Sequence, residues 1–161
     1  MVLHVTEAQA LTCCASLQWA RKLANMSPFA DFDALLESAR SIWWSGTGVS
    51  GWLEAFAAHP KIGDNKAAEA KPAQFGALSR SEQAMAAETS TAEVARELGE
   101  LNQRYHDKFG FIYIICAKGR TAQELLSVLR TRITRMPYEE LQQVYSGPHA
   151  PCNTCTPGLP P

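Results

Sequence analysis

Apolar residues recur at helical spacing along most of the chain. Ala8, Leu11, Ala15, Trp19, Leu23 and Met26 fall on one face, and Thr6 with Gln9 has the spacing of a capping box. The pattern predicts one helix over residues 6–26, stopped by Ser27-Pro28. Phe32, Leu35, Leu36, Ala39, Ile42 and Trp43 predict a second helix over 31–44. Residues 46–51, bounded by Gly46 and Gly51, predict a turn. A short helix that buries Trp52, Leu53 and Phe56 follows and ends at His59-Pro60.

Residues 60–78 read as a loop, after which Ser79 opens a helix with Glu82 three positions on. Val94, Leu98, Leu101, Tyr105 and Phe109 are in phase over 91–108, and Gly110 interrupts them. Residues 111–117, Phe-Ile-Tyr-Ile-Ile-Cys-Ala, form a continuous apolar run with strand propensity. No second convincing strand is available to pair with it, so it is expected to cross the core in extended or helical form. The clearest helix spans 121–135, with Ala122, Leu125, Leu126, Leu129, Ile133 and Met136 as its stripe and Thr121 with Glu124 as a second capping box. Met136-Pro137 breaks it, and a short helix reaches about Tyr145. The fold class expected is all-α, an irregular multi-helix bundle forming a single domain over residues 1–145.

The last segment, 146–161, holds five of the nine prolines and no Lys, Arg, Asp or Glu, and reads as a disordered Pro-rich tail. A chain of 161 residues can bury one sizeable core without staples. The formal net charge of −1 supplies no basic footprint for nucleic acid. No apolar run approaches the length of a membrane span, and neither a secretory leader nor a terminal peroxisomal tripeptide is seen. Five cysteines in a chain that needs no staples predict reduced thiols in an intracellular setting.

Few residues carry candidate chemistry. His59 follows a helix and precedes Pro60, which biases it toward extended backbone and fixes its direction. Taken alone, that placement reads first as a histidine meeting the helix dipole, and second as a general acid or base. Ser79, Arg80, Ser81, Glu82 and Gln83 form a capping box by pattern; they also place donors and acceptors at a helix N-terminus, where a small ureido carboxylate would be held. Cys152 and Cys155 with His149 give three potential metal ligands where a structural zinc site needs four, so no metal is expected. Cys13 and Cys14 read as core packing, His4 and His106 as surface.

Together these pieces resemble one family. His59-Pro60-Lys61-Ile62-Gly63-Asp64 is similar to its H-P-[KR]-[IL]-G-[DE] motif, and Ser79-x-x-Glu82-Gln83 to its S-x-x-E-Q motif. Leu101-Asn102, Tyr105 and Phe109-Gly110-Phe111 resemble its L-N-x-x-Y-x-x-x-F-G-F signature, and Ile115-Cys116-Ala117-Lys118-Gly119-Arg120 continues the likeness. The family is 2-oxo-4-hydroxy-4-carboxy-5-ureidoimidazoline (OHCU) decarboxylase, which forms allantoin at the last step of urate degradation. The wording is closest to the plant form, where the domain is the N-terminal half of a bifunctional allantoin synthase. The resemblance covers roughly residues 8–143.

The resemblance implies a cofactor-free carboxy-lyase that produces S-allantoin, with His59 as the proton-transfer residue and Glu82 beside it. It implies substrate contacts from Pro60, from Ser79, Arg80, Ser81, Glu82 and Gln83, and from Ile114, Ile115, Cys116, Ala117 and Lys118, the last five through backbone groups. It suggests a homodimer and a peroxisomal or cytoplasmic setting. Family members continue past the position of Leu141 into a long final helix whose arginine is implied to bind the substrate carboxylate. No residue here matches that arginine, so weaker substrate binding is expected; were binding undiminished, another residue such as Arg132 or Arg135 would have to hold the carboxylate. The plant enzyme's transthyretin-like half is not seen. The alternative reading is a catalytically weak or inactive helical module acting through protein partners.

Overall fold

A computed structural model describes residues 2–63 and 83–146. The expectations for Asp64, Ser79, Arg80, Ser81, Glu82 and the Pro-rich tail from residue 147 onward, including His149, Cys152 and Cys155, lie outside the described residues. Every regular element among the described residues is helical, as expected for an all-α chain; one isolated antiparallel bridge joins Leu3 to Phe29. No helix among them is long and apolar enough to cross a membrane. The chain divides into two compact units, one built on residues up to Phe56 and the other on Ala57–Val144.

In the first unit, the expected long helix is two. Helix α1, Glu7–Cys13, starts with the capping box that Thr6 and Gln9 predict. Cys14 is extended, and α2, Leu17–Asn25, restarts from Ser16, whose Oγ accepts from Trp19 N at 3.4 Å. A serine hydroxyl offers the backbone this alternative to a continued helix. The restart resets the phase: Ala10, Cys13, Cys14, Trp19, Ala20 and Leu23 are buried, while Ala8 and Met26, expected inside, are exposed.

Helix α3, Phe32–Ser41, is capped by Asp31 and runs into one π-helical turn, Ile42–Gly46. The turn from 46 to 51 is shorter than expected, because α4 already begins at Val49 and runs to Ala57. Gly51 is therefore inside a helix and buried. A Cβ there would lie 2.7 Å from Thr47 Cγ2 and 2.9 Å from Ser16 Oγ, so close packing demands glycine. Trp19, Trp43 and Phe56 are fully enclosed, whereas Leu53 is exposed, contrary to expectation. Buried indoles need an acceptor; Trp19 Nε1 donates to Ala39 O at 2.9 Å.

In the second unit, residues 83–88 are helical (α5). Helix α6, Ala92–Phe109, runs from the Thr91 cap to Gly110, whose φ of 77° closes it in the left-handed conformation. Residues 112–117, expected to cross the core in extended or helical form, run without helix or ladder, with Phe111, Tyr113 and Ala117 buried. Helix α7, Ala122–Arg132, begins with the Thr121–Glu124 capping box and buries Ala122, Leu125, Leu126 and Leu129 completely against α6. It stops three residues earlier than expected, and α8, Pro137–Ser146, follows with proline in its first position.

Candidate active site

The described candidate residues all lie in the second unit. Beyond α4 the chain passes through His59, half-buried, and Pro60, buried, to Ile62, also buried. Gly63 has a φ of +82°, which a side chain would strain; the tight turn expected there is present.

Two hydrogen bonds hold this loop. Gly63 N donates to Gln83 Oε1 at 3.0 Å, and Asn102 Nδ2 donates to Ile62 O at 3.0 Å. Lys61 Nζ reaches Gln103 Oε1 at 3.4 Å. Three segments that the sequence keeps far apart, around His59, Gln83 and Asn102, are thus tied at one place. Asn102 is buried, and its Oδ1 has no hydrogen-bond partner among the described residues. The 40-residue separation of Asn102 from Ile62 hides this tether from any local pattern; the asparagine at a core position of α6 was the visible signal.

Beside the tether lies a cavity of about 280 Å³, walled by Ile62, Gly63, Gln83, Ala86, Leu98 and Ala122 among others. Its volume suits a small metabolite rather than a peptide. Small alanine walls leave the space, and the Gln83 amide gives it a polar edge. His59, Pro60 and residues 114–118 are not among its lining residues.

Residues 114–118 are anchored separately. Ile114, Ile115 and Cys116 are half-buried, Ala117 is buried and Lys118 exposed. The Ile114 carbonyl accepts from Arg132 Nη1 at 2.7 Å. Arg132 Nε donates to Glu140 Oε1 at 2.5 Å, and Arg132 Nη2 forms an ion pair with the same oxygen. Tyr105 OH also donates to Glu140 Oε1, and Arg135 Nη1 reaches Oε2 at 3.2 Å. Arg132 and Arg135, the fallback holders of a substrate carboxylate, both meet a glutamate that is wholly buried. Burial pushes the Tyr105 phenol well above its ordinary range; Arg132 opposes this and the hydrogen bond to Glu140 adds to it. Burial raises Tyr113 in the same way, so both remain protonated donors at neutral pH.

Glu140 gave no sequence signal, since it stands between Glu139 and Leu141 in a short helix that carries no recognised motif. Cys13 and Cys14 are buried packing residues, and His4 and His106 are exposed, as expected.

Comparison with known proteins places this arrangement. The family model described as OHCU decarboxylase matches residues 5–147. The uric acid degradation bifunctional protein TTL of Arabidopsis thaliana is 39% identical over 142 residues, which is 88% of this chain and 43% of that protein. The 2-oxo-4-hydroxy-4-carboxy-5-ureidoimidazoline decarboxylase of Xenopus laevis is 39% identical over 66 residues, 40% of this chain and 38% of the relative. The chain therefore spans less than half the length of these curated relatives. A crystal structure of OHCU decarboxylase in the presence of (S)-allantoin superposes with a TM-score of 0.74 at 34% identity, covering 92% of each chain. The chain belongs to the OHCU decarboxylase family.

Proposed function

We propose that this chain decarboxylates OHCU to (S)-allantoin in urate degradation, without a cofactor. The reading treats residues 1–145 as one domain, in line with a family model that runs from 5 to 147. The observation that carries it is the Gly63–Gln83 hydrogen bond, which joins the His59 loop to Gln83, the last residue of the S-x-x-E-Q motif. The solved OHCU decarboxylase was crystallised in the presence of (S)-allantoin, the product such a site would release.

In the reaction the bond between the ring carbon and its carboxylate breaks, CO2 leaves, and the electron pair stays on the carbon, delocalised into the imidazoline ring. The substrate is its own electron sink, so the protein has three tasks: orient the carboxylate, meet the developing charge, and deliver one proton to one face. His59 delivers the proton, with Pro60 fixing the backbone that aims it. Glu82 partners His59. Gln83 holds the loop through its amide oxygen and offers its NH2 to the ureido or carboxylate oxygens. Pro60, Ser79, Arg80 and Ser81 contact substrate, as do residues 114–118 through their backbone groups.

Substitution of His59 by Ala or Asn is the test. A positioned histidine contributes about 10²–10⁴ in rate, so both variants lose at least about a hundredfold in kcat with unchanged helical content. Full turnover in either removes His59 from the reaction. Glu82→Gln keeps capping geometry and removes charge; it lowers kcat at an unchanged melting temperature if Glu82 partners His59. A homodimer and a peroxisomal or cytoplasmic setting go with the same reading, and the mass by sedimentation in solution and the fluorescence of a tagged full chain check them.

A further inference from the structure

Residues 112–117 form neither helix nor ladder among the described residues, so no neighbouring strand fixes their carbonyls. Side chains do so instead. Tyr113 OH donates to Leu125 O at 3.2 Å, and the Arg132 guanidinium lies 5.0 Å from the centre of the Tyr113 ring while its Nη1 holds the Ile114 carbonyl. One planar group therefore grips two consecutive residues of the segment. The guanidinium is itself fixed: Nε and Nη2 both meet Glu140 Oε1, which also takes the Tyr105 hydroxyl, and Arg135 occupies Oε2. The Arg132 side chain is 8% exposed and that of Glu140 0%.

A buried ion pair of this kind is weak ground for a stabilising role, because well-packed apolar residues often replace one without loss. What apolar residues cannot do is hold a carbonyl at a set place and angle. We propose that Arg132, locked by Glu140, is a positioning residue for the decarboxylation: it sets the backbone of residues 114–118, through which the substrate is bound. This rests on the functional reading above, in which that backbone contacts substrate. Arg132 acts through the backbone and does not touch the reacting atoms. Its rigid fork of donors suits the task, whereas a lysine ammonium cannot serve Glu140 and Ile114 in the same geometry.

The test uses the full chain and freshly prepared OHCU. The double variant Arg132→Met/Glu140→Leu removes both charges together, and takes a partner from the Tyr105 hydroxyl, from Arg135 and from the Ile114 carbonyl as well. We expect a lowered melting temperature with native far-UV circular dichroism at about 25 °C, a KM raised about ten- to hundredfold with kcat less affected, and faster amide exchange at residues 115–118. A purely structural pair would lower the yield of folded enzyme and leave KM alone. Should the double variant fail to fold, Arg132→Lys, which retains the charge beside Glu140, supplies the same measurement and the same expectation. Folded variants with native KM and native exchange at 115–118 overturn the proposal while the functional reading stands. A wild-type chain that does not turn over OHCU overturns the functional reading, and this one with it.

Discussion

Replacing Asn102 separates the role of the tether from its contribution to stability. Its Nδ2 holds the Ile62 carbonyl at 3.0 Å, a bond contributing about 1 kcal/mol net. Its buried Oδ1, without a partner among the described residues, costs about 1–3 kcal/mol in lost hydration. Asn102→Leu, branched at the same carbon, removes both groups and leaves the Ile62 carbonyl alone, at a similar cost of about 1–3 kcal/mol. The two unpaired-acceptor costs offset, and the net loss is about 1 kcal/mol, or about 2–4 °C in Tm for a chain of this length. Asn102→Asp instead sets a carboxylate against a buried carbonyl oxygen. That costs about 3 kcal/mol or more, at least about 6 °C. Activity follows another order. The leucine variant frees the loop that carries His59, and kcat/KM for OHCU falls about tenfold or more despite a nearly native fold. Thermal melts and OHCU turnover on the same preparations check both halves. A leucine variant that melts as low as the aspartate variant refutes the offset of the two acceptors. Native kcat/KM in the leucine variant refutes the tether.

Gly51→Ala drives a methyl to within 2.7–2.9 Å of Thr47, Gln18 and Ser16, and lowers stability by about 1–3 kcal/mol, whereas Gly99→Ala in α6 meets nothing within 4 Å and raises it by up to about 1 kcal/mol; thermal melts of the pair check the contrast. Tyr105 and Tyr113 have folded pKa values above their unfolded value near 10, so the stability they contribute is complete below about pH 10 and is lost as pH rises beyond it. Alkaline titration should therefore show their phenolate signals only with loss of the native circular dichroism; ionisation near pH 10 in the folded protein would contradict their burial.

Much of the helical framework was legible because its signals are local. Thr6 with Gln9 and Thr121 with Glu124 cap helices where their spacing says they should, and Gly110 ends α6 through a positive φ. The break at Cys14 was not legible, since the apolar spacing continues across it. What decides is Ser16 packed against Gly51, 35 positions along. The turn at Gly63 could be read from the sequence, but its partners could not: Gln83 and Asn102 come from other helices. The same holds for Arg132. From the sequence it was one of two fallback cations for a substrate carboxylate; in the fold it meets Glu140, eight residues on and across a turn. Patterning reports which face of an element is apolar, whereas polar tethers depend on which elements meet.

The handedness of the product tests the central claim most directly. Once CO2 has left, a proton taken from solvent can reach either face of the planar carbon and gives both enantiomers of allantoin, whereas a proton delivered from one fixed group gives one. Freshly prepared OHCU mixed with the full chain should yield allantoin of a single hand, the S form, faster than in buffer, as followed by circular dichroism. The His59→Asn variant should return the product to a racemate at the rate of buffer alone. Racemic allantoin formed with the native chain, at the uncatalysed rate, would contradict the account.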